Sequence, residues 1–117
     1  MTEKYAYNCA QGCPVESTLQ FISGKWKSVI LYHLIHQDFV HYGDLKRLIP
    51  GVTSRMLSLQ LSDLVRDGII DKHIIQSYPV KNIEYHLTPL GQSLIPVIEA
   101  LASWGESFNA QAKIASR

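Results

Sequence analysis

Between Thr53 and Gly68 the apolar residues Leu57, Leu61 and Leu64 recur at steps of four and three, with Val65 beside them. That is the period of a helix that buries one face. Pro50-Gly51 upstream is a turn signal, Thr53 is a good N-cap, and Gly68 is a natural stop just past the end. The other face holds Arg55, Ser58, Leu59 and Ser62 and carries no carboxylate. A face kept only for solubility would carry Glu and Lys, whereas Ser and Arg near a helix N-terminus suit close approach to phosphates and base edges. The pattern predicts a DNA-recognition helix.

The same reading extends in both directions. Residues 1–12 are polar and aromatic without periodicity and read as an arm, in which Tyr5 and Tyr7 suggest docking on another surface. Cys13-Pro14 opens a short helix with Val15, Leu19 and Ile22 in register. A second helix is expected from about Lys25 to His36, burying a broad side that holds Trp26, Val29, Ile30, Tyr32, His33 and Leu34. A third is expected from Tyr42 to Ile49, with Leu45, Leu48 and Ile49 inward and Lys46 and Arg47 outward. Two helices joined at Pro50-Gly51 make a helix-turn-helix pattern.

After Gly68 the period falls toward two. Ile70, Ile74 and Ile75, a turn-rich Ser77–Asn82 stretch, and the alternating Ile83–Leu87 predict a β-hairpin. The resulting fold class is mainly α with a small hairpin, a winged helix-turn-helix whose wing tip carries Lys81 and Asn82. From Thr88-Pro89 one helix is expected to about Phe108, kinked or shortened by Pro96 inside it. Leu94, Ile98, Leu101 and Phe108 form a heptad seam, widened by Ile95, Val97 and Trp104. So broad an apolar surface asks for a partner, and a homodimer through this helix and the Pro14–Ile22 helix is the simplest closure, with Val15, Leu19, Leu94, Ile98, Leu101, Trp104 and Phe108 as contacts. Two recognition helices about 34 Å apart would then read a palindromic site in double-stranded DNA. The organisation is an arm at 1–12, a winged helix-turn-helix domain with its dimerisation helices at 13–108, and a tail at 109–117.

Composition sharpens this picture. At 117 residues and 46% hydrophobic the chain has one globular core. It shows neither an apolar run long enough for a membrane span nor a leader-like start, so a cytoplasmic protein is expected. A net charge of +1 argues against a generic polyanion binder. Yet Leu45–Ser62 holds Lys46, Arg47 and Arg55 with no carboxylate, a local positive excess. Arg55 is the best reader, either bidentate to guanine or as a phosphate clamp. Ser54, Ser58 and Ser62 can approach bases or phosphates, and Lys46, Lys27 and Lys81 would neutralise phosphates.

The reactive candidates are Cys9 and Cys13, the only cysteines of the chain. Cys13 precedes Pro14 at a helix start, where the helix dipole favours the thiolate, the nucleophile toward oxidants and electrophiles. An inert, part-buried thiol is the competing reading. Cys9 could pair with Cys13 only if the intervening loop brings their Cα atoms within about 7 Å, and either could instead pair across a dimer. His33, His36 and His41 lack the paired short spacings of a zinc site, so no metal or cofactor is expected. No phosphate loop, nucleophile elbow or paired-carboxylate motif points to an enzyme.

Four stretches in order, Cys13-Pro14-Val15-Glu16, Gly24-Lys25-Trp26-Lys27, Leu45 to Val52 and Glu84 to Gly91, resemble the HxlR-type family of bacterial winged-helix regulators, over about Cys13 to Gly105. The resemblance implies a homodimeric transcription factor, usually a repressor, with a MarR-like dimer built from terminal helices. Some members sense quinones, aldehydes, hypochlorite or disulfide stress through a cysteine at the place of Cys13. The chain departs from the family at Leu59, where Gln is common, which would turn base reading toward a thymine methyl. It departs again at the wing tip, where Val80-Lys81-Asn82 stands for a Pro-Pro-basic motif. The expected function is a repressor switched by oxidation or electrophile modification of Cys13. The alternatives are a repressor induced by a reversible small ligand, or a helix-mediated protein-interaction module.

Overall fold

The computed structural model describes residues 4, 6, 13–76, 79 and 82–112; Cys9 and Lys81 lie outside them. Its order is α1 (Pro14–Ile22), α2 (Lys27–Leu34), β1 (Val40–His41), α3 (Tyr42–Leu48), α4 (Ser54–Arg66), β2 (Ile70–Gln76), β3 (Asn82–Leu87), α5 (Pro89–Gln92) and α6 (Ile95–Ala112). The core gathers one face of α2, α3 and α4 around the base of the sheet: Ile30, Leu31 and Leu34 of α2, Leu45 of α3, Leu57, Leu61 and Leu64 of α4, with Ile69, Ile70, Tyr85 and Ile98. This is a helix-turn-helix followed by an antiparallel wing.

The central helix, α4, is bounded as its sequence requires. Thr53 accepts from the Met56 amide at 3.0 Å, which satisfies one of the free donors of the first turn. At the other end Gly68 has φ +78°, and the Gly68 and Ile69 amides reach back to the Val65 and Leu64 carbonyls, both at 3.0 Å. This double closure needs a left-handed residue, hence glycine. The chain leaves it directly into β2.

Several expectations are corrected. The sheet has three strands in the order β1-β3-β2, because Val40 and His41 pair with Tyr85 and Glu84 along the outer edge of the hairpin. In α2 the buried side is Ile30, Leu31 and Leu34, while Val29 and Tyr32 are exposed, so the buried stripe is narrower than expected. Leu48 is 44% exposed rather than inward. Lys27 is the one buried charged residue among those described, 9% exposed, and its ammonium lies 3.6 Å from Asp63 on α4. It braces α2 to α4 and does not offer a charge to phosphates.

The C-terminal segment is two helices, not one kinked helix. Thr88 closes the first turn of α5 by accepting from the Gly91 amide, while its hydroxyl donates to the Gly68 carbonyl at 2.6 Å and its amide to the Ile69 carbonyl at 3.0 Å. The break falls at Ser93 and Leu94, so Pro96 sits at the second position of α6, where a missing amide costs nothing. Ile98 is 2% exposed and belongs to the domain's own core, so it does not extend the expected dimer seam. Leu101, Trp104 and Phe108 are exposed, and Trp104 and Phe108 stack with ring centroids 5.7 Å apart.

Candidate nucleic-acid interface and thiol site

The buried stripe of α4 fixes what the helix presents outward. With Leu57, Leu61 and Leu64 turned into the core, Ser54, Arg55, Ser58, Leu59 and Ser62 are all exposed on the opposite side. The short side chains of the three serines let the backbone approach another surface closely. Arg55 has no ion-pair partner among the described residues, whereas Arg47 is engaged by Asp44, and Arg66 by Asp63. The local positive excess read from Lys46, Arg47 and Arg55 therefore narrows to Lys46 and Arg55, since Asp44 lies just outside that stretch and answers Arg47. Asp63 also receives Lys27. Burial raises its pKa, but the Arg66 hydrogen bond and the Lys27 and Arg66 charges outweigh burial and hold it below the usual carboxylate range.

A second element reaches the same face. Tyr42, the first residue of α3, donates its hydroxyl to the Ser54 carbonyl at 3.1 Å and lies 3.3 Å from the Ser58 hydroxyl. It thus ties the scaffold helix to the first turns of α4. Asn82, at the start of β3, borders with Tyr42 and Ser58 a cleft of about 470 Å³ between the helix pair and the wing. Tyr42 was not among the residues singled out by sequence, where it read only as a helix start; the signal was an aromatic hydroxyl at the start of the helix that precedes the polar face of α4.

The wing carries its own polar cluster. Glu84 on β3 faces His41 across β1 and His73 across β2. Its carboxylate lies 3.6 Å from His41 and 3.3 Å from His86, whose ring sits 4.7 Å from that of His73. Among the described residues no group of three or more His, Cys, Asp or Glu is placed to hold a metal ion. No helix of the described chain is long and apolar enough to cross a membrane.

Cys13 stands at the N-cap of α1 as a free, half-buried thiol. Its φ of +127° is the one positive value among the described non-glycine residues. A side chain rarely adopts that backbone region, and it persists only where surroundings impose it. The Cys13 carbonyl accepts from the Glu16 amide at 2.9 Å, so the helix start anchors the strained residue. On the same helix Val15 and Leu19 are exposed.

A helix-turn-helix whose second helix presents a polar outer face without a carboxylate, followed by an antiparallel wing, defines a winged-helix DNA-binding protein. The family model described as HxlR-like helix-turn-helix matches residues 21–113. The chain belongs to that family, and it is a DNA-binding transcriptional regulator rather than an enzyme. It is 44% identical over 104 residues to the HTH-type transcriptional regulator YdeP of Bacillus subtilis, spanning 89% of this chain and 80% of that protein. Among solved structures, the redox regulator HypR in its oxidized form superposes with a TM-score of 0.74 at 41% identity, covering 81% of this chain and 96% of that one. The reduced form of HypR gives 0.77 at 39% identity, over 85% and 95% of the two chains.

Proposed function

We propose that this regulator is a dimeric repressor whose affinity for a palindromic operator is switched at Cys13. The observation that carries the reading is the position of Cys13: a free thiol in strained backbone, at the start of a helix whose exposed Val15 and Leu19 suit a dimer contact. The likeness to a redox regulator known in both oxidation states supports it. In the oxidised state two thiols, Cys13 with its counterpart across the dimer or with Cys9, lose two protons and two electrons to an oxidant and join as a disulfide. An electrophile such as a quinone takes the Cys13 thiolate at a ring carbon instead. Either change displaces α1 against α6 and rotates the winged domains, so that two α4 helices no longer match successive major grooves. Arg55, Ser54, Ser58, Leu59 and Ser62 read the groove, with Lys46, Lys81 and Asn82 beside it on the backbone.

The test is binding of the purified protein to DNA upstream of its own gene, at fixed salt, before and after diamide or a quinone, with Cys13→Ser alongside. Tight binding that the oxidant abolishes in the native protein but not in Cys13→Ser is the expected result. Binding indifferent to the oxidant sinks the thiol switch. That outcome favours a reversible inducer, for which an apolar groove of about 360 Å³ between α2 and α6, lined by Val29, Tyr32 and Leu101, is the candidate seat.

A further inference from the structure

We propose that Tyr42 is a specificity-determining residue: it fixes the Ser58 hydroxyl as a hydrogen-bond acceptor toward DNA, so that the base facing Ser58 is chosen for an exocyclic amino group. The inference rests on α4 as the helix that enters the major groove, and it follows from counting protons. The Tyr42 phenol has a single proton, and a carbonyl oxygen can only accept. The 3.1 Å contact with the Ser54 carbonyl therefore uses that proton. In the 3.3 Å contact between Tyr42 and Ser58 the donor must then be Ser58.

A helical serine ordinarily has another outlet, donation to the carbonyl four residues back. For Ser58 that carbonyl is the one of Ser54. It already accepts the Ser58 amide through the i→i−4 ladder and the Tyr42 hydroxyl besides, which fills both lone pairs. Ser58 thus spends its proton on Tyr42 and keeps only lone pairs for a ligand, while its side chain remains exposed on the recognition face. In the major groove the donors are adenine N6 and cytosine N4, and the keto oxygens of guanine and thymine are acceptors that such a serine cannot serve. Ser58 alone would accept either kind of edge by turning its hydroxyl. With Tyr42 in place it discriminates amino from keto bases.

The full-length protein, with Tyr42→Phe, Ser58→Ala and the double variant, is presented with randomised duplexes at one salt concentration, and the bound pool is sequenced. The native protein is expected to favour A and C over G and T at one position on one strand of each half-site. Ser58→Ala erases that preference. Tyr42→Phe, which keeps the ring and is checked for folding by its thermal transition, reduces the preference at that position about two- to ten-fold, the worth of one uncharged hydrogen bond. It leaves other positions and affinity for unrelated DNA unchanged, and added to Ser58→Ala it changes nothing more. The proposal is overturned if Tyr42→Phe keeps the preference intact, if it weakens all positions alike, or if the position lost in Ser58→Ala favours a keto base. A native protein with no sequence preference anywhere overturns the reading of α4 itself, and that result is distinct from the others.

Discussion

Two lysines with the same formal charge have opposite fates, and the difference is measurable. Lys27 is buried against Asp63, whereas Lys46 stands on the outer side of α3 with no carboxylate partner among the described residues. Lys46→Ala is expected to lower DNA affinity across all sequences and to reduce the slope of log affinity against log salt by about 1. Lys27→Ala should leave that slope unchanged and instead destabilise the fold, because Asp63 keeps a part-buried charge with one partner fewer. Arg55→Ala should cost about 1–3 kcal/mol of specific binding and relax preference at a guanine, if it reads one; a uniform loss would mark it as a phosphate clamp. Titration adds a separate signature. Burial, and secondarily the charge of His36, lowers the His33 pKa from its ordinary 6.5. Below that value the unfolded chain takes up a proton that the folded chain resists, so the stability tied to neutral His33 is fully present above about pH 6.5 and falls as the solution is acidified through the gap between the two pKa values. Urea unfolding at pH 7 and pH 5 should therefore show a smaller difference in His33→Gln than in the native protein.

At the scale of elements, the sharpest case is Gly91 in α5. Helix propensity alone says that alanine would stabilise this position by about 1 kcal/mol. The structure says the reverse, since an added Cβ would lie 2.1 Å from the Ile69 carbonyl oxygen, a backbone atom that cannot turn away. Gly91→Ala is expected to destabilise by about 1–3 kcal/mol or more, by pushing α5 off the start of β2, and a denaturant midpoint that rises would contradict it. What the sequence makes legible and what it hides divide by whether the deciding contact is local or distant. The ends of α4 were readable because Thr53 and Gly68 act within one turn of themselves, and the leucine stripe of that helix needs no knowledge of what it packs against. Strand β1 was not readable: Val40 and His41 are too few to show a period, and only the distant Tyr85 and Glu84 make them a strand. The burial of Lys27 depends on Asp63 far along the chain, whereas the break before α6 is legible in Pro96, which has no amide to offer Gln92 four residues back, where α5 ends. On the candidate interface the exposed positions of α4 could be placed from periodicity, but Tyr42 joined them only through a hydrogen bond across two helices.

The whole molecule leaves an apolar surface that its own core does not use. Val15 and Leu19 on α1, and Leu101, Trp104 and Phe108 on α6, are exposed, with Trp104 at 70%. These residues belong to helices that flank the winged core rather than to the α4 face, so a second copy can cover them while both recognition helices stay free. The consequence for affinity is arithmetic. A dimer that engages two half-sites adds the second contact as an intramolecular event, gaining far more than either half-site provides alone. Leu101→Glu combined with Trp104→Glu places carboxylates where the second copy would seat and removes no side chain from the core, so the helices should form as before. Sedimentation is expected to show a native dimer and a folded monomeric variant, with the variant's affinity for a full operator reduced by at least about 100-fold and its affinity for a single half-site little changed. If the variant stays dimeric, the interface lies elsewhere. If it is monomeric yet binds the full operator as tightly as the native protein, two-site reading is wrong, and a rotation of paired domains could not be how Cys13 controls DNA.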